Sequence, residues 1–375
     1  MKRSAIGFWP DSTPRPGWGG RIYPFINLVV ARRRSGRIGN GGSVAEPAFC
    51  LWVIHAIQPT CHSARNSRHR RRARGDVAFL IALDLPIVLP SGNRAAFVGV
   101  HYIYPLIGVA LLGLATFAAG KREVSTSFLV ALPCYVMVLI AHFNIKLWIP
   151  HINPVMYDDF YWKTDQMVRP LIDACIHMRE NLFGFIRFES NFYMLSFIGL
   201  FYTSFLYHAI RTPTHFRTLV VAVLLMQSLG ALSYLVAPAI GPFIYEAGID
   251  PTITPGQLSM LEFYRQSVSQ GSAWIAQHGS THFTVGLAAM PSLHAAGAFL
   301  FWLFAWKHGR ILLPLYSILL FFILVTSIAS RWHYAIDIPV GIALAWGCVW
   351  LAERFVRTAN DGQAVPAITT VPATT

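Results

Sequence analysis

Between Val98 and Phe355 the chain is dominated by seven apolar stretches, at 98–120, 125–149, 190–210, 216–237, 290–306, 311–330 and 336–355. None carries the strong polar stripe of a helix lying on a soluble core, and most are apolar all round. A helix crossing a bilayer needs about 20 such residues. The pattern predicts an all-α integral membrane protein, a polytopic bundle of six to eight transmembrane helices. Composition agrees. Hydrophobic residues make up 54% of the chain and charged residues 13%, against about 25% charged in soluble domains.

The net charge of +13 raises the question of a nucleic-acid partner. Its location argues against one. Fourteen of the 30 Lys and Arg, but only Asp11, Glu46 and Asp76 among the 17 acidic residues, fall in residues 1–76. That stretch is rich in Arg, Gly, Ser and Pro, and its apolar islands are too short to span a membrane. It is expected to be a basic, disordered extension. Residues 77–97 follow as an interfacial segment or short hydrophobic helix, since Val77–Leu89 is interrupted by Asp84 and Pro86. Residues 98–357 are expected to form the transmembrane domain, and 358–375 a disordered tail.

Basic residues orient the spans. Lys121 with Arg122, Arg211 with Arg217, Lys307 with Arg310, and Arg354 with Arg357 fall in alternate connections. The positive-inside rule makes these cytoplasmic. Connections 150–189, 238–289 and 331–335 then lie on the outer face. The expectation is a multi-pass protein of the cell membrane with its site facing outward. Segment 150–189 reads as an amphipathic helix lying on the membrane surface, and 238–289 as a cap over the site.

Two motifs sit at span edges on that outer side. In Met290-Pro291-Ser292-Leu293-His294, Pro291 suits the first turn of a helix. Ser292 and His294 then share that turn, where free backbone N–H groups favour an anion such as phosphate. In Ser330-Arg331-Trp332-His333-Tyr334-Ala335-Ile336-Asp337, His333 and Asp337 are spaced i, i+4 and face one another on a helical turn. A carboxylate there holds the imidazole in one tautomer and activates it as a nucleophile. The spans on either side of Lys307-His308-Gly309-Arg310 carry the chain over and back, so both histidines reach the same depth. No acidic cluster suggests Mg²⁺, the five cysteines show no paired spacing, and no cofactor is expected.

Pro-Ser-x-His followed by His-x-x-x-Asp before a final helix resembles the type 2 phosphatidic acid phosphatase superfamily. Leu293 stands where the phosphatases usually have glycine, and Pro-Ser-Leu-His is similar to the branch containing inositol phosphorylceramide synthase, an inositolphosphotransferase. Asn153-Pro154-Val155-Met156-Tyr157-Asp158 and Pro238-Ala239-Ile240-Gly241-Pro242 echo that branch. The resemblance covers about 153–352. It implies a metal-independent lipid phosphatase or phosphotransferase, acting on a lipid phosphate or phospholipid in the bilayer. His333 is then the nucleophile, Asp337 its activator, and His294 the acid that protonates the leaving alcohol. The phosphatases place an arginine six residues before the nucleophile, where this chain has Ser327. Arg331, Ser292, Lys163 and Arg169 are the candidate phosphate ligands, with Lys146, one turn from His142, as another. The displaced arginine keeps a second reading open: an inactive transporter or lipid-binding protein on the same scaffold.

Overall fold

The computed structural model describes residues 85–118, 120, 122–183, 191–249, 253–284, 287 and 290–361. The expected extension 1–76, residues 77–84, and 362–375 of the expected tail lie outside them. The described chain is all helical, with no strand among the described residues. Six helices are long and apolar enough to cross a membrane: Gly92–Ala118, Pro133–Ile152, Phe192–Arg211, Pro213–Val236, Arg310–Ala329 and Asp337–Thr358. The fold is that of a polytopic helical membrane protein.

In chain order, α1 is Gly92–Ala118, with a π-helical turn at Gly99–Ile103, and α2 is Arg122–Ile152. Two short helices follow, α3 at Asp158–Met167 and α4 at Arg169–Met178. Next come α5 at Asn191–Arg211 and α6 at Pro213–Val236, then α7 at Thr254–Gln270 and α8 at Ser272–His278. The chain closes with α9 at Leu293–His308, α10 at Leu313–Ala329 and α11 at Asp337–Asp361.

Three expected boundaries move. The first span begins at Gly92 rather than 98. Residues 85–91 before it are non-helical and tied to the bundle. There the Val88 N–H donates to Asn144 Oδ1 at 2.9 Å and Trp148 Nε1 donates to the Pro86 carbonyl at 2.9 Å. The surface helix expected in 150–189 is two helices, broken at Val168 before the Arg169-Pro170 start of α4. The fifth expected span, 290–306, is the 16-residue α9, about 24 Å long at 1.5 Å per residue. It can be short because protein surrounds it. Helices α5, α6, α10 and α11 pack around it, and Leu300, Phe301 and Phe304 have no exposed surface. The lipid-facing residues lie instead on outer helices, such as Leu111 and Phe117 on α1 and Ile318 and Phe321 on α10, all about half exposed or more.

The packing sorts the connections to two ends. Asn153 Nδ2 donates to the Leu235 carbonyl at 2.9 Å, joining the end of α2 to the end of α6. Tyr157 N–H donates to Pro238 O, and Ser292 N–H to Asp337 O. All these segments share one end with both histidine motifs. The turns carrying Arg211, Lys307 and Arg310 lie at the other, where Lys307 pairs with Glu353 at 2.6 Å. Helix α7 covers the motif end. Its Gln257 side chain donates to the Ser330 carbonyl at 2.9 Å, and Gly256 packs over Trp332.

Candidate active site

His333 and Asp337 meet as their spacing predicts. His333 Nδ1 lies 3.2 Å from Asp337 Oδ2, and both residues are buried. The same carboxylate oxygen accepts the Tyr334 N–H at 3.0 Å, so the backbone of the turn fixes its rotamer. With Nδ1 facing the carboxylate, Nε2 is the ring nitrogen left for chemistry.

The first motif folds differently from expectation. Helix α9 starts at Leu293, two residues after Pro291, and Ser292 is its N-cap. The Ser292 hydroxyl accepts the Ala295 N–H at 3.4 Å and the residue has no exposed surface. Capping preferences favour serine there, so this candidate phosphate ligand is used in the helix start. Its backbone joins the two motifs, donating to the Asp337 carbonyl at 3.1 Å. Gly341 permits that approach: a Cβ on it would stand 2.5 Å from the Ser292 carbonyl oxygen. His294 thus sits in the first turn of α9, within electrostatic reach of His333 and of Lys146 on α2. Tyr193 and Phe197 of α5 hold its ring edge-on, with centroids 5.2 and 4.9 Å away.

Leu293, the departure from glycine, is accommodated by a glycine elsewhere. A Cβ on Gly230 of α6 would lie 2.3 Å from Leu293 Cδ2. The side chain gained at 293 fills the space left empty at 230. Ser327 is also accounted for. It is buried, and its Oγ lies 2.8 Å from the Tyr193 hydroxyl. Where the resemblance led one to expect a cation, this chain has a hydroxyl pair bracing the ring against His294.

The candidate arginines are already engaged. Arg331, 1% exposed, donates from Nη2 to Asp165 Oδ2 at 2.8 Å, and its Nε lies 2.8 Å from Glu246 Oε2. Nε···Oε2 lacks hydrogen-bond geometry, and Nη1 is buried without a partner. Arg169 donates to Asp173 at 2.8 Å and also pairs with Glu246, which holds its guanidinium above its ordinary pKa. Two arginines therefore face three carboxylates. Carboxylates thus sit against both guanidinium groups, while Arg331 Nη1 is left without a partner. Lys163 is exposed on α3, on the face opposite buried Tyr161 and Asp165. Lys146, by contrast, has no carboxylate partner among the described residues and lies within electrostatic reach of His294 and His142.

Helix α3 supplies what sequence reading missed. Asp158 accepts N–H bonds from Ile240 and Gly241 and the Tyr334 hydroxyl at 2.7 Å. Burial raises its pKa, and these donors oppose the rise. Asp165, with no exposed surface, accepts the Ala335 N–H at 2.8 Å as well as Arg331. These are i, i+7 positions on one helix face, which was the available signal. The turn they hold includes Arg331 at φ +58°, a left-handed conformation costing about 1–2 kcal/mol for a non-glycine residue. Among the described residues no three His, Cys, Asp or Glu side chains are grouped as metal ligands.

Residues 184–351 match the family model of the PAP2 superfamily. The match spans His294, His333 and Asp337 and stops short of Lys146, Asp158 and Asp165. It supports the superfamily, whose members are in general phosphatases and phosphotransferases. No curated protein and no solved structure matches the chain.

Proposed function

We propose that this chain is a membrane phosphotransferase or phosphatase that takes a phosphoryl group from a lipid through a phosphohistidine at His333. The observation that carries the reading is the buried His333–Asp337 pair, joined through Ser292 to the helix start that presents His294. In the first step His333 Nε2 attacks phosphorus and the ester P–O bond breaks, while His294, as the acid, gives its proton to the departing alkoxide. Asp337 holds the Nδ1 proton and stabilises the charge that develops on the ring. In the second step neutral His294 takes the proton of an acceptor hydroxyl, whose oxygen attacks the phosphohistidine and restores His333. Lys146 supplies fixed positive charge to the phosphoryl oxygens. The site faces outward across the cell membrane, because the basic turns gather at the opposite end. Pro-Ser-Leu-His, with Gly230 shaped to receive Leu293, favours a lipid hydroxyl over water as acceptor, in the manner of the inositol phosphorylceramide synthase branch.

One observation favours a second reading. Arg169 and Arg331 are neutralised by carboxylates, as in a scaffold that binds lipid without transforming it. Labelled phospholipids offered to the purified chain in detergent, with and without ceramide, separate the two. Headgroup transfer or phosphate release, with an acid-labile phosphoprotein lost in His333→Ala, supports the enzyme. Lipid binding without either product supports the scaffold.

A further inference from the structure

We propose that Asp165 is a positioning residue for the nucleophile, acting on the turn that carries His333 rather than on substrate. The proposal rests on His333 being the nucleophile. Asp337 aligns the imidazole through Nδ1, but nothing in that contact fixes where the turn itself lies. Asp165 does so from a different helix. Its two oxygens bracket His333 symmetrically in sequence, Oδ2 accepting from Arg331 two residues before it and Oδ1 from the Ala335 N–H two residues after it, each at 2.8 Å. The carboxylate has no exposed surface. The turn between those anchors has no regular structure, and Arg331 within it has positive φ. Such a turn keeps one geometry only where its surroundings impose it.

Arg331 has, in this arrangement, a partner on either side: Asp165 of α3 and Glu246 of the cap segment. Its guanidinium also lies over the Trp162 ring, 5.9 Å from the centroid. The arginine is therefore the handle by which α3 grips the turn, and its role is to be held.

Steady-state kinetics and rapid-quench measurement of phosphohistidine formation on a labelled lipid, with the full chain in detergent, test this. A misplacement of about 1 Å costs on the order of 10²-fold. Asp165→Ala, which removes both anchors, is expected to slow kcat and phosphohistidine formation by about that factor, with KM nearly unchanged. Asp165→Asn keeps an acceptor for Ala335 but turns its NH2 toward the Arg331 guanidinium, losing that anchor alone, so its defect should be smaller, about tenfold. Glycine tolerates positive φ, so Arg331→Gly removes the handle without straining the turn. In that background Asp165→Asn should add little. Rates are referred to the folded fraction, and if Asp165→Ala does not fold, Asp165→Asn and its combination with Arg331→Gly decide. Unchanged kcat per folded molecule, a defect in KM alone, or full additivity with Arg331→Gly would overturn the proposal. A wild-type chain that forms no phosphohistidine at His333 overturns the reading beneath it. A normal wild-type intermediate with unaffected Asp165 variants overturns the positioning role only.

Discussion

Both ends of α9 carry histidine clusters, and the two differ in how their rings are held. At the motif end His333 faces Asp337, and the buried carboxylates Asp158, Asp165 and Asp337 each accept a backbone N–H. At the basic end His215 and His308 stack with centroids 3.8 Å apart, and His208 bonds Thr212 through Nδ1. No carboxylate pairs with those three rings among the described hydrogen bonds and ion pairs, and Glu353 is taken by Lys307. His208 Nε2 is buried without a partner. The two clusters share a residue type. Only one has an acid that fixes a tautomer and a backbone frame that fixes the acid.

The largest expected effect is at that acid–imidazole pair. His333→Ala removes the atom that would hold the phosphoryl group, so turnover should fall to background with no acid-labile phosphoprotein. A surviving phosphoprotein in intact-protein mass spectra would place the nucleophile elsewhere. His294→Ala comes next. General acid assistance is worth about 10²–10⁴-fold, and that loss should appear on lipid substrates but shrink on p-nitrophenyl phosphate, whose leaving group needs little protonation. Equal loss on both substrates would remove the acid role.

A packing change gives a smaller effect. Gly230→Ala drives a methyl into Leu293, and overpacking costs about 1–3 kcal/mol. The midpoint of thermal unfolding in detergent should fall, and Leu293→Ala in the same chain should restore part of it. No recovery would mean the two side chains do not share that space. The smallest effect is at the basic end. His308→Phe preserves a ring against His215 and should leave lipid turnover nearly unchanged, since the proposed site lies at the other end. The same contrast of ends can be read by labelling intact cells with an impermeant thiol reagent. A cysteine replacing Ser272 is expected to react and one replacing His308 to remain protected, and the reverse pattern would turn the site inward.

Much of this was legible in the chain because the signals are local. Apolar runs near 20 residues mark the spans, and the i, i+4 spacing of His333 and Asp337 already puts their side chains on one face. Span ends were less exact: Gly92 begins α1 earlier than hydropathy does, and the Ser292 cap starts α9 at Leu293, later than Pro291 suggested. The partners of the candidate phosphate ligands were hidden for a different reason. A lysine or arginine near a motif says nothing of its counterion, and Arg331 and Arg169 meet theirs in Asp165, Asp173 and Glu246.

The sequence alone determined the membrane-spanning class, the alternation of basic turns and the two motifs that hold His294, His333 and Asp337, since each is carried by residues within a few positions of one another. The tertiary structure alone decided which charges are paired and what frames the turn that carries His333. Asp165 reaches Arg331 across 166 residues, and Tyr334 reaches Asp158 across 176. Gly230 receives Leu293, and Gly341 admits Ser292, from separate helices. Periodicity is blind to such pairs, because they exist only once the helices pack and exclude water from the carboxylates between them.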